Sequence, residues 1–331
     1  AEERPSVEPS VVLRLGPART RSVRYVDSFA VAPDGKRFAG GTPEAEVAVW
    51  DAKTMGEAAR FKGHTYVVGA VAWSRDGTRL ASGADDGLVQ ILDVGTGTAV
   101  RLAGHADDIS ALAFSPDGNT LASGSEDGEI RLWSPSGGPA LLTLAGHKDK
   151  VRQVAFSPDG RFLASCGDDR RVRVWDPASG RIVAKLRGHG DEVACLAWSP
   201  DGGSLATASD DKKIRIWDPA TWRLRADFDS AGWVLAMAWS RARTRLVVGT
   251  SDGSIHVVDT GSWRTTQALS IPPHSASTVF GFTLNFAGPD DSLFCGVARG
   301  QVYSWRWSGG ELIPTAGGHL TALRWAAWSP D

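Results

Sequence analysis

The chain has 331 residues, with 36 Lys+Arg against 38 Asp+Glu and a formal net charge of -2. Near-neutrality, with a pI near 6.4, argues against a general nucleic-acid binder, and no stretch approaches the roughly 18 apolar residues of a membrane helix. Three cysteines (Cys166, Cys195, Cys295) without a CxxC pair argue against a disulfide scaffold and for a reducing, cytoplasmic setting.

Residues 1–10 contain Pro and Glu and read as a linker or flexible N-terminus, with one folded domain expected over 11–331. Val11-Val12-Leu13-Arg14-Leu15 is a short apolar strand of the same type as Ile182-Val183-Ala184-Lys185-Leu186. First strands of repeated units then begin near Ser28, Gly69, Ile109, Val151, Val193, Leu235 and Thr278. The copy that opens at Gly104-His105 shows the pattern: strand 109–114, turn Ser115-Pro116-Asp117-Gly118, strand 121–124, turn Glu126-Asp127-Gly128, strand 130–133 and strand 141–144. Pro and Gly stand where such turns need them, and four short strands in this order form an antiparallel meander. One meander cannot hide both its faces, so the units must stack on one another.

The period is 41 or 42 residues, with units ending at Trp50, Leu92, Trp133, Trp175, Trp217 and Val258, and a looser ending near Trp305. Four positions recur at offsets 0, 18, 22 and 28: His105, Ser123, Asp127 and Trp133; His147, Ser165, Asp169 and Trp175; His189, Thr207, Asp211 and Trp217. An earlier copy has His64, Ser82 and Asp86, with Leu92 in the Trp place. The first copy lacks the His, with Ser22, Gly40, Glu44 and Trp50, and the sixth has Ser230, Val248, Asp252 and Val258. The seventh is stretched after His274, with a longer loop or strand near Pro272 to Phe286.

The Gly104-His105 and Trp175-Asp176 marks at this spacing resemble the WD40 repeat. The resemblance implies an all-β fold, a seven-bladed WD40 β-propeller closed by an N-terminal fourth strand at Val11–Leu15. An eight-bladed or truncated array is the alternative. Gly318-His319 through Ser329-Pro330-Asp331 aligns with Gly104-His105 through Asp117, and Glu311 to Ala316 competes with Val11 to Leu15 for one edge. The family's pattern further implies a hydrogen-bonded network in each blade, running from Asp to His to the Ser or Thr hydroxyl to the Trp indole. Rich Arg, Ala and Gly usage also looks like bacterial WD40 proteins linked to kinase or nucleotide-binding signalling domains.

The recurring His, Ser and Asp could be mistaken for a hydrolase triad, but a triad is needed once, and here the Ser lies within a strand. Histidines in separate units should not converge on one metal ion, and no cofactor signature is present. The functional signal is instead a rim of acids, from the residue before each network Asp and the second residue after each His. These are Asp85, Glu126, Asp168 and Asp210, with Tyr66, Asp107, Asp149 and Asp191; Trp233 adds a second aromatic. The competing reading is that acidic turn residues serve only turns and solubility. The expectation is a non-enzymatic, monomeric scaffold that binds a protein or peptide, possibly basic, at this acidic face near the channel. It needs neither nucleic acid nor membrane. An intramolecular regulatory or sensor domain of a larger signalling protein, and an enzyme on a propeller scaffold, are the alternatives. Asp168 is expected to point to solvent, and Arg131, Arg173 and Arg215 to lie on unit flanks with packed stems.

Overall fold

The computed structural model describes residues 13–14, 28–42, 44–54, 56–242, 244–270, 282–287, 292–297, 301–308 and 311–314. Among these, 29 strands form six four-stranded sheets and one five-stranded sheet. We number the sheets by their first strands: Phe29–Val31, Val68–Trp73, Ile109–Phe114, Val151–Phe156, Val193–Trp198, Val234–Trp239 and Phe282–Ala287. Sheet 3 is representative, with Ile109–Phe114, Leu121–Ser125, Glu129–Trp133 and Leu142–Ala145 paired antiparallel in chain order. The seventh first strand begins at Phe282; Thr278 and His274 lie outside the described residues, as do residues 1–10, Ser22 and His319.

Local chemistry sets these meanders. In the turn after the first strand of sheet 3, Ser115 Oγ donates to Asp117 Oδ1 at 2.5 Å, and the Thr120 N–H donates back to Ser115 Oγ at 2.9 Å. Gly118 takes φ 71° there, a left-handed value that glycine adopts without a Cβ clash. Ser74, Ser157 and Ser199 make the same bond to Asp76, Asp159 and Asp201.

The core is divided among the junctions between consecutive sheets. Ala111, Ala122, Ile130, Leu132 and Leu144 of sheet 3 bury against Val151, Val154, Leu163 and Trp175 of sheet 4. The same arrangement recurs from sheets 1 and 2 through sheets 6 and 7. Close approach requires small residues on the second strands: a Cβ on Gly124 would lie 2.6 Å from Val151 Cγ1. Each first strand lies against the first strand of the next sheet, and that of sheet 7 lies against those of both sheet 6 and sheet 1.

Sheet 7 is completed by two chain segments on one edge. Gln301–Ser308 pairs with Glu311–Pro314 through Trp305↔Pro314, and with Leu13–Arg14 through Val302↔Leu13. The two segments anticipated as competitors for this edge therefore share it, and Pro314, which has no N–H to donate, stands at the changeover.

Candidate interaction face

In sheets 2 to 5 the histidine loops and the turns between second and third strands meet at one end of the sheet. In sheet 3 the geometry has a single consistent direction: Trp133 Nε1–H donates to Ser123 Oγ at 2.8 Å, Ser123 donates to His105 Nε2 at 2.7 Å, and His105 Nδ1–H donates to Asp127 at 3.0 Å. Asp127 also accepts the N–H groups of Ala106 at 3.1 Å and Glu129 at 2.7 Å. Sheet 4 repeats this with Trp175, Ser165, His147 and Asp169 at 2.9, 2.8 and 2.9 Å, and sheet 5 with Trp217, Thr207, His189 and Asp211 at 2.9, 2.9 and 3.2 Å. In sheet 2 His64 joins Ser82 and Asp86, but Leu92 gives Ser82 no indole donor. Space before the histidine is tight in sheet 4, where a Cβ on Gly146 would meet the Trp175 ring at Cη2, 2.9 Å away.

Burial lowers all four histidines below the usual imidazole range, and His189, which also feels Arg215, falls to about 4. Burial works against the charge of Asp169, yet His147, Arg173 and the Lys148 N–H outweigh it and hold the carboxyl at about 2. Asp127 and Asp211 are lowered by the same balance of burial against donors. The histidines are therefore neutral and the aspartates ionised at neutral pH. Ser123, Ser165 and Thr207 are fully buried at 0% exposure, so no substrate reaches these hydroxyls. Among the described residues, two acid-rich clusters have ligand-like spacing, His105 with Asp127 and Glu129, and Asp107 with Asp108 and Glu126. Protein partners already engage His105 and Asp127, Arg131 engages Glu129, and Lys150 engages Glu126.

Two sequence expectations need correction. Arg173 and Arg215 are not merely packed on flanks: their guanidinium groups pair with Asp169 at 2.8 Å and Asp211 at 2.9 Å, as fifth members of the network. Asp168 does not point freely to solvent. Its side chain is 16% exposed and accepts from both Nε and Nη2 of Arg152, whose Nη2 also reaches Glu192 of sheet 5 at 2.8 Å. The cause is a β-bulge in the first strand of each of sheets 2 to 6. It sets one residue out of register and re-aims its side chain. The bulged residues are Gly69, Ser110, Arg152, Ala194 and Leu235, so only sheet 4 delivers a cation by this route.

The remaining rim residues are spread over five sheets. Tyr66 and Trp233 are 63% and 50% exposed. Asp107 and Asp149 are exposed, and each accepts the N–H of its chain neighbour. Asp191 stands 3.7 Å from Arg170, and Asp85 is half-buried. Asp210 is raised by burial and by Glu192, with Asp191 and Asp168 adding to the repulsion and Arg152 opposing it.

A family model for the WD domain, G-beta repeat (WD40), matches residues 56–93, 97–134, 138–176, 180–218 and 222–259. The chain belongs to the WD40 family. Each WD40 match starts on the outer strand of one sheet and ends on the third strand of the next, so every repeat ties two sheets together. Curated relatives align over shorter stretches. Pre-mRNA-processing factor 19 homolog 2 of Arabidopsis thaliana is 40% identical over 67 residues, covering 20% of this chain and 13% of that protein. Pre-mRNA-processing factor 19 of Oryza sativa subsp. japonica is 43% identical over 61 residues, covering 18% and 12%. WD repeat-containing protein 1 of Gallus gallus is 32% identical over 75 residues, covering 22% and 12%. The chain thus spans about an eighth of the relatives it matches. It is a non-catalytic WD40 protein-interaction module, since the WD40 domain is a scaffold fold.

Proposed function

We propose that the seven sheets close into a seven-bladed propeller whose histidine-loop face receives a protein or peptide partner carrying a basic side chain. Closure is supported by the contact of the sheet 7 first strand with that of sheet 1, and by Arg241 Nη2, which donates from sheet 6 to the Pro33 carbonyl of sheet 1 at 3.3 Å. Leu13–Arg14 acts as the closing fourth strand beside Glu311–Pro314. Free, buried Cys166 and Cys195 suit a reducing, cytoplasmic setting.

One observation carries the partner's charge. Arg152 is bonded to Asp168 and Glu192, and Lys150 to Glu126, but half-buried Asp210 faces Glu192, Asp191 and Asp168 against an Arg152 already shared between two carboxylates. A cation placed there relieves repulsion that the folded chain otherwise bears. Exposed Trp233, on the loop opposite Ser251 in sheet 6, offers an aromatic face for an adjacent apolar or cationic group.

The test is an array of immobilised peptides of matched length, with and without Arg or Lys, probed with the wild-type chain and with Asp210→Lys. Selective capture of the basic peptides, weakened about tenfold or more by the reversal at unchanged melting temperature, supports the reading. Equal capture of neutral and basic peptides, or indifference to the reversal, removes it.

A further inference from the structure

On the histidine-loop face, two rim positions pair across successive junctions. In sheets 3 to 5 the residue before the network Asp stands across from the third residue after the His position of the next sheet. At the junction of sheets 3 and 4 these are Glu126 and Lys150, which form an ion pair. At the junction of sheets 4 and 5 they are Asp168 and Glu192, and Arg152 holds both, with Glu192 at 2.8 Å. At the junction of sheets 5 and 6 they are Asp210 and Trp233.

The backbone keeps one register at all three. The Asp168 N–H donates to the Lys150 carbonyl at 3.0 Å, the Asp210 N–H to that of Glu192 at 2.9 Å, and the Ser251 N–H to that of Trp233 at 2.9 Å. The Ser230 N–H donates to the Lys212 carbonyl at 2.9 Å, which fastens the start of the Trp233 loop to the turn that carries Asp210.

What differs is the cation between the two positions. The bulged residue of the first strand looks onto the rim carboxylate of its own sheet. Arg152 does so towards Asp168, and in sheet 2 a Cβ on Gly69 would lie 3.8 Å from Asp85 Oδ1. In sheet 5 the bulged residue is Ala194, whose methyl group brings no charge. Among the described residues, no hydrogen bond or ion pair engages the Asp210 carboxylate, and exposed Trp233 packs on no other ring.

The pair selects between cations. A guanidinium can set two N–H groups on a carboxylate and lay its plane on an indole at the same time. An ammonium is a strongly hydrated point charge with no plane to stack. Arg152 already makes the first of these contacts within the chain, with Nε and Nη2 both on Asp168.

We infer that the junction of sheets 5 and 6 takes an arginine side chain of the partner, with its N–H groups on Asp210 and its plane on Trp233. This rests on the reading that Asp210 receives a basic partner, and adds the junction and the residue type.

The probes are acetyl-Gly-Arg-Gly-amide and acetyl-Gly-Lys-Gly-amide, titrated into the isotope-labelled chain. Saturable shifts are expected at the Trp233 indole N–H and the Ala194 and Asp210 amides, with the arginine peptide bound several-fold more tightly. Trp233→Ala should bring the two affinities level. Ala194→Arg supplies a resident guanidinium and should block the arginine peptide. Trp233→Ala removes an exposed side chain, so it keeps the test decisive if Ala194→Arg does not fold. An arginine preference that persists in Trp233→Ala, or undiminished binding to folded Ala194→Arg, would overturn the inference. Equal affinities in the wild-type chain, lost together in Asp210→Asn, would overturn it and leave the basic-partner reading standing. No saturable shift near Asp210 with either peptide would overturn both.

Discussion

Removing the carboxylate of Asp169 should destabilise the protein more than removing the equivalent Asp86, and the difference isolates one arginine. Asp169 accepts from His147 Nδ1 at 2.9 Å and from the N–H groups of Lys148 and Arg171 at 3.2 Å, and it pairs with Arg173 at 2.8 Å. The side chains of His147 and Arg173 are 0% and 9% exposed, so water cannot replace the lost partner. Arg173 Nε is already buried without an acceptor and Nη1 otherwise meets the neutral His147 ring at 2.8 Å, so loss of Asp169 removes the counter-charge of the guanidinium. Stranding a buried charge in this way costs about 3 to 5 kcal/mol. Asp86 accepts from His64 at 3.2 Å and from the N–H groups of Thr65 at 2.9 Å and Leu88 at 3.0 Å, but Gln90 stands where sheet 4 has Arg173. Asp86→Ala therefore strands neutral donors only, at about 1 to 3 kcal/mol. Urea unfolding of both variants at pH 7 measures the two losses. Losses equal within about 0.5 kcal/mol would refute a charged fifth member of the network.

Two further outcomes follow from the same geometry. Asp168→Ala should cost about 1 to 2 kcal/mol, because it breaks a two-pronged but partly exposed pair, and the cost should vanish in an Arg152→Ala background by a double-mutant cycle. The histidines set the acid limit. His189 falls from 6.5 to about 4 in the fold, so its stabilising effect is complete above 6.5 and is lost as pH falls from 6.5 towards 4. That loss proceeds at up to about 1.4 kcal/mol per pH unit. Denaturation midpoints measured against pH should therefore slope in this window, and His189→Gln should flatten the slope; an unchanged slope would show that the imidazole titrates normally in the fold.

The regular part of the architecture is legible because hydrogen bonds repeat at fixed chain offsets. His105, Ser123, Asp127 and Trp133 sit at offsets 0, 18, 22 and 28, and the distances among them follow from a single meander closing on itself. Asp168 was misjudged because its partner arrives through a bulge at Arg152, and a bulge shifts the alternation by which strand faces are read. Arg173 and Arg215 escaped notice although a signal was available. The position two before each closing residue runs Ala48, Gln90, Arg131, Arg173, Arg215 and His256, and only two of these arginines pair with the network carboxylate.

A repeated scaffold makes identical sites cheap to build and therefore poor at telling partners apart, so recognition must come from the positions where repeats differ. On the histidine-loop face the bulged residue changes from Gly69 and Ser110 to Arg152, then to Ala194 and Leu235. Only sheet 4 neutralises its rim in this way, and the unrelieved charge passes to Asp210 of sheet 5. On the opposite face the end of the first strand runs Trp73, Phe114, Phe156, Trp198 and Trp239, while the left-handed turn residue changes from Gly180 to Trp222 and Trp263. The bulged residue is a cation at sheet 4 alone among sheets 2 to 6, and the left-handed turn residue changes from glycine to tryptophan between sheets 4 and 5. A ligand on the histidine-loop face near Asp210 then presses on sheets 4 and 5, which Arg152, bonded to Asp168 and Glu192, holds together.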